Sequence, residues 1–264
     1  MSFERARGRP TKILVLNPNS SKAMTDGMKT VIDAVDLPYS TEVYTYTGPA
    51  DAPASINDDE DIEQSTKAVL EDLDDSDFRN QGYDGVLVAC FSVHPLVANL
   101  QTDQSRPVAI TGIFEASVLA AVSLLRRGET WGIVTTGKFW EEHLDAGVLD
   151  FLGVDRGAHD SKFVGVVSTG LNASDFHHGV DPEVVRKKLK EATQHLFRKK
   201  GLVTCIVMGC AGMAGLEEII RSAVSELAGN TFAYSMLHVI DGVRAGIMQV
   251  DNMIRHQRLR PGKS

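Results

Sequence analysis

Twice in this chain an apolar run leads straight into a cysteine followed by small or polar residues. The runs are Val86-Leu87-Val88-Ala89 before Cys90-Phe91-Ser92, and Cys205-Ile206-Val207-Met208-Gly209 before Cys210-Ala211-Gly212. Each is the third strand-like run in a stretch where strand and helix patterns alternate. In the first stretch Lys12 to Leu16 is followed by Met24, Met28, Val31, Ile32 and Val35 at helical spacing, then by Thr41 to Thr47, then by Ile62, Val69, Leu70 and Leu73 on one helical face. In the second, Trp131 to Thr135 leads to Trp140, Leu144, Val148 and Leu152, then to Phe163 to Ser168, then to Val185, Leu189, Ala192 and Leu196. Strands alternating with helices make parallel sheets covered by helices, so the expected class is α/β. The intervals from Asn17 to Cys90 and from Thr135 to Cys210 differ by only two residues. The pattern therefore predicts two pseudo-symmetric lobes, each a parallel sheet flanked by helices, with the site in the cleft between them.

Residues 1–11 read as a disordered tail, 12–111 as the first lobe and 112–229 as the second. A last short strand is expected at Thr231 to Tyr234. Segment 230–264, with a helix ending near Ile254, is expected to return and complete the first lobe. The strongly acidic stretch from Asp58 to Asp77 keeps helical apolar spacing and reads as a solvated amphipathic helix. A net charge of −8 argues against a nucleic-acid partner, which needs clustered Lys and Arg. No run approaches the ~20 apolar residues of a membrane span, and the N-terminus lacks the apolar core of a secretory signal. No membrane partner and a cytoplasmic location are expected. Three cysteines do not read as a disulfide framework, which leaves reduced thiols available for chemistry.

In parallel sheets, ligands bind beyond the carboxyl ends of the strands. Asn17, Cys90, Thr135 and Cys210 all fall at such ends, and if the halves face each other they converge on one cleft. Cys205, inside its run, reads as a small core residue. Cys210 should sit at a strand-to-helix turn, where unpaired N–H groups and the helix dipole favour thiolate; a helix behind Cys90 would act alike. Two opposed thiols suit one reaction in particular. One removes a proton from a carbon beside a carbonyl, the other returns a proton on the opposite face, and the centre inverts without a cofactor. The Ala211 and Gly212 N–H groups could hold the developing oxyanion.

Four motifs in order, Asn17-Pro18-Asn19-Ser20-Ser21, Cys90-Phe91-Ser92, Val134-Thr135-Thr136 and Gly209-Cys210-Ala211-Gly212-Met213, resemble the aspartate/glutamate/hydantoin racemase superfamily, most closely its hydantoin and allantoin racemase branch. The resemblance runs from about Lys12 to Asp251. It implies a cofactor-independent two-lobed α/β enzyme with Cys90 and Cys210 as the acid/base pair. It further implies a small hydantoin-like substrate held by Asn17, Ser92, Thr135 and Thr136 with the backbone of Ala211 and Gly212, and we expect a homo-oligomer. Many members carry an acidic residue after Cys-Phe-Ser, where this chain has Val93-His94-Pro95, so its substrate is expected to differ from theirs. Members acting on aspartate or glutamate differ in the residues flanking the cysteines, which favours a ring substrate such as hydantoin or allantoin.

Other readings start from other residues. Aspartate or glutamate racemisation is one. His94 beside Cys90 would suit a single-cysteine hydrolase or decarboxylase, and two lobes alone could make a noncatalytic small-molecule binder. His177-His178 has no ligand spacing with another His or Cys and reads as surface loop. Gly209, Gly212 and Gly215 do not form the dinucleotide fingerprint, and no metal motif is present.

Overall fold

The computed structural model describes residues 9–37, 40–76, 78–102, 108–155, 162–176 and 179–259. The first half contains β1 (Thr11–Asn17), α1 (Lys22–Asp33), β2 (Thr41–Thr47), α2 (Asp59–Asp75), β3 (Gly85–Val88), α3 (Pro95–Gln101), β4 (Ala109–Gly112) and α4 (Ile113–Leu124). The second repeats the order with β5 (Glu129–Thr135), α5 (Phe139–Leu152), β6 (Phe163–Ser168), α6 (Pro182–Phe197), β7 (Leu202–Gly209), α7 (Glu217–Ala228), β8 (His238–Asp241) and α8 (Gly242–Arg258). Each half forms a four-stranded sheet, in the orders β2-β1-β3-β4 and β6-β5-β7-β8, and every pairing is parallel. The expected α/β architecture of two matching sheets is what the chain adopts.

Alternation along the central strands makes three apolar layers. Leu14, Leu16, Val86 and Val88 face outward with Val69 and Leu96 of the helices covering the first sheet. Val134, Ile206 and Met208 do the same with Leu189 and Ile220 on the second. The inward residues, Ile13, Val15 and Leu87 from one sheet and Trp131, Ile133 and Val207 from the other, join one shared core. Cys205 lies in that core with no exposure, as a small apolar residue. Helices α4 and α8 fill the space between the sheets. α4 touches β7 and β8 as well as α8, and α8 returns to β1, β3 and β4 through Ile247, Val250 and Ile254.

Three expectations need correction. The first strand opens at Thr11, which is buried, so the tail ends earlier than residue 11; residues 1–8 lie outside the described residues. The last strand is His238–Asp241, not Thr231 to Tyr234, because Val239 and Ile240 align with Ile206 and Val207 of β7. Phe232–Met236 instead forms a helical turn whose Phe232 ring packs on Phe197. Segment 230–264 is thus split: β8 completes the second sheet and only α8 packs on the first. The α3 helix, which has no counterpart in the sequence reading, starts at Pro95 with His94 as its cap. α2 forms as expected, capped by Asp58, with Ile62, Val69 and Leu73 buried. Among the described residues no helix is long and apolar enough to cross a membrane.

Candidate active site

The carboxyl ends of both sheets meet across a small cavity of ≈ 30 Å³. Asn19, Met24 and Ile56 line it from loops and helix of the first half, with Ala89, Cys90 and Phe91 after β3. Thr136, Trp140, Ala173, Gly209, Cys210 and Ala211 line it from the second half. Both cysteines therefore open on one space, at equivalent ends of β3 and β7, and both are free thiols with partial exposure.

Hydrogen-bond donors reach both sulfurs. The Ser92 hydroxyl donates to Cys90 Sγ at 3.4 Å, and the Gly212 N–H donates to Cys210 Sγ at 3.2 Å. Cys210 caps a short 3-10 turn, Ala211–Met213, and α7 starts only at Glu217, while α3 starts five residues beyond Cys90. Neither thiol sits at an α-helix N-terminus, contrary to the sequence expectation. Burial consequently dominates. It pushes Cys90 up to about 12 against the Ser92 hydrogen bond, and Cys210 up to about 11 against the N–H groups of Gly212 and Met213. Burial thus favours the neutral form of both thiols.

The remaining sequence candidates divide by position. Thr136 and Ala211 line the cavity. Gly212 is buried and reaches the site through its N–H on the sulfur. Ser92 is buried and acts on Cys90 in the same way. Thr135 is fully buried, and its hydroxyl donates to the Gly209 carbonyl at 2.8 Å, tying β5 to the residue before Cys210. Asn17 is turned into its own loop: its amide donates to Asn19 Oδ1 at 3.0 Å, the Ser21 carbonyl at 3.2 Å and Thr25 Oγ1 at 3.0 Å. It braces Asn19, which lines the cavity in its place. Asn19 and Trp140 escaped the sequence reading as site residues. Asn19 also lies in the loop beyond a strand's carboxyl end, the one signal that could have marked it; Trp140 read only as part of an apolar helix stripe.

His94 is buried outside the cavity lining. Its Nδ1 accepts the Leu96 N–H at 3.3 Å, so the proton is assigned to Nε2, which lies 3.4 Å from Ser65 Oγ; that hydroxyl donates to the Pro18 carbonyl at 2.8 Å. Both ring nitrogens are occupied in bracing the loop after β1, α2 and α3, and neither is available to a sulfur as a hydrolase base. Burial holds His94 down at about 4, below its usual 6.5. A histidine lowered on folding stabilises the native state fully above 6.5, and that contribution is lost as pH falls through about 4. His94→Asn, which can still cap α3, is expected to remove a dependence of ~1.4 kcal/mol per pH unit across that window. Urea unfolding at pH 4 to 7 measures it; identical slopes in both proteins would reject the assignment. His177-His178 lies outside the described residues. Among those described, no group of three or more His, Cys, Asp or Glu side chains could hold a metal ion.

Two parallel four-stranded sheets joined by a shared core, with one cysteine at each sheet's central carboxyl edge, define a two-lobed α/β protein with a paired-thiol site. The chain belongs to the Asp/Glu/Hydantoin racemase family, whose model matches residues 13–250. An uncharacterized protein of Schizosaccharomyces pombe is 31% identical over 244 residues, covering 92% of each chain. The hydantoin racemase of a Pseudomonas species is 28% identical over 243 residues, covering 92% of this chain and 86% of its own. Among solved structures, the allantoin racemase from Klebsiella pneumoniae superposes with a TM-score of 0.72 at 26% identity, covering 94% of this chain and 89% of the other. The hydantoin and allantoin branch named from the four motifs is the branch of the Pseudomonas and Klebsiella racemases.

Proposed function

We propose that the chain is a cofactor-independent racemase of a hydantoin-type ring, a 5-substituted hydantoin or allantoin, with Cys90 and Cys210 as its acid/base pair. The observation that carries this reading is the cavity itself, which receives one thiol from each lobe and, among the described residues, no charged side chain. Aspartate and glutamate carry two carboxylates, and burying these without cations would be costly. A neutral ring needs only hydrogen bonds and apolar walls. Asn19, Thr136 and backbone groups supply the former, and Met24, Ile56, Phe91 and Trp140 the latter.

In the reaction one sulfur, as thiolate, takes the proton from the ring carbon beside the carbonyl. The opposite thiol delivers its proton to the other face. Negative charge that collects on the carbonyl oxygen during transfer is met by hydrogen-bond donors around the cavity. Reaction in the opposite direction exchanges the roles of the two cysteines.

The test is a panel of single enantiomers of 5-substituted hydantoins, allantoin, aspartate and glutamate, followed by optical rotation. Decay to zero is expected for at least one ring compound and for neither amino acid. Decay with glutamate or aspartate alone would overturn the substrate class. Binding of the ring compounds by calorimetry without any decay would favour a noncatalytic binder.

A further inference from the structure

We propose that a second copy of this chain docks on the face formed by α4 and α8, closing the groove between these helices in a two-fold interface. α4 is apolar nearly all round, since Glu115, Ser117 and Ser123 are its only polar residues. Ile113, Phe114, Val118 and Ala121 belong to the core shared by the sheets. On the other side Leu119, Val122 and Leu124 are 42%, 42% and 40% exposed. A helix that is apolar on every side belongs in an interior, so this outer side is built to be covered. α8 extends the same face through Met248, which is 58% exposed. A groove of ≈ 630 Å³ runs between the helices. Its less exposed lining includes the small residues Ala116, Ala120 and Ala245, whereas Leu119, Leu124 and Met248 are open to solvent along it. One face thus carries both a recess and the large apolar side chains that can fill one.

The charges on this face select the occupant. Two copies each carry a net charge of −8 and repel one another wherever acidic surfaces meet. Only Asp241 and Arg244 of the groove lining are charged, and the Arg244 guanidinium is already joined to Glu217. The groove is therefore uncharged on balance within an acidic chain, and two like faces can close on each other. An anionic lipid surface would need free Lys and Arg there. The polar groups point the same way. Gln249 and Asn252 line the groove with no hydrogen-bond partner among the described residues, and Asp241 keeps a buried oxygen without one. Each amide offers donors and an acceptor, so in a two-fold arrangement the groups of one copy can serve those of the other twice over. The contact also bears on the cavity. Phe114 of α4 meets the Phe91 ring edge-on at 5.7 Å, and an added Cβ on Gly242, at the start of α8, would touch the same ring at 3.4 Å. Phe91 lines the cavity, so docking on α4 and α8 backs one of its walls.

The test needs neither substrate nor turnover, so it stands or falls apart from the racemase reading. Sedimentation velocity of the whole protein at ~1–100 µM is expected to show an assembly of two chains or a multiple of two. Leu119→Glu and Met248→Glu each place an unpaired charge on both sides of the interface, at positions exposed in the single chain. Each should at least halve the mass of the assembly, with circular dichroism confirming the fold. Val184→Glu, at an equally exposed apolar position on α6, should leave the mass unchanged. In the wild type itself, dilution that dissociates the assembly should speed hydrogen exchange in α4 and α8. A wild type that is monomeric at ~100 µM would overturn the proposal and leave the face to some other partner. So would an assembly that both Glu variants leave intact, dissociation by Val184→Glu to the same extent, or exchange in α4 and α8 that dilution does not change.

Discussion

Cys90→Ala and Cys210→Ala are each expected to abolish inversion of the substrate, with a loss of ~10³-fold or more. Each thiol serves one face, so either variant lacks a partner for half of the proton transfer, and the double variant should be little worse than the singles. The losses should appear in kcat, since neither change removes the polar or aromatic walls. Cys205→Ala offers the contrast. That sulfur is buried in the shared core, and its loss should lower stability while sparing turnover. Optical rotation with purified variants, checked for folding by circular dichroism, decides the matter. A Cys210→Ala enzyme at full rate would remove that residue from the mechanism and favour a single-cysteine reaction.

The second large effect is expected at Gly209, the residue that aims Cys210. It pairs with Thr135 on β5 and accepts that residue's hydroxyl. An added Cβ would stand 2.6 Å from Ile133 Cγ2 and 3.0 Å from both Thr135 Cβ and the Val134 carbonyl. Two of these atoms belong to fully buried side chains and the third to backbone of the central strand, so none can turn aside cheaply. Gly209→Ala should therefore push the end of β7 away from β5, cost ~1–3 kcal/mol and carry Cys210 off its position. Activity should fall further than stability alone explains, because displacement by ~1 Å can cost ~10²-fold in rate. Urea unfolding beside the racemisation assay measures both. A stable variant with unchanged turnover would show that the end of β7 has freedom the packing denies it.

The architecture was legible because the central strands are buried on both faces and most helices on one, a difference that hydrophobic periodicity records directly. The error at β8 has a local cause. Aromatic Thr231 to Tyr234 has strand-like composition, but the short Val239-Ile240 pair is what fits against β7. α3 was missed because a seven-residue helix is too short to establish a period. At the site, the two cysteines were legible from their repeated context, whereas the division of labour around them was not. Asn17 and Asn19 sit in one motif, and only the folded loop reveals that the first braces the second. The setting of Cys210 was misjudged because a strand followed by small residues suggests a helix N-terminus, while the chain inserts a 3-10 turn before α7.

The central claim is that two thiols work on opposite faces of one carbon, and deuterium incorporation during inversion tests it most directly. One enantiomer of the ring substrate is turned over in heavy water, stopped early and resolved, with uncatalysed exchange subtracted. The account predicts deuterium at the centre of the product enantiomer while recovered substrate still carries its original proton, and no inversion by Cys90→Ala or Cys210→Ala. Product that retains the substrate's own proton, or deuterium appearing equally in both enantiomers from the outset, would contradict it.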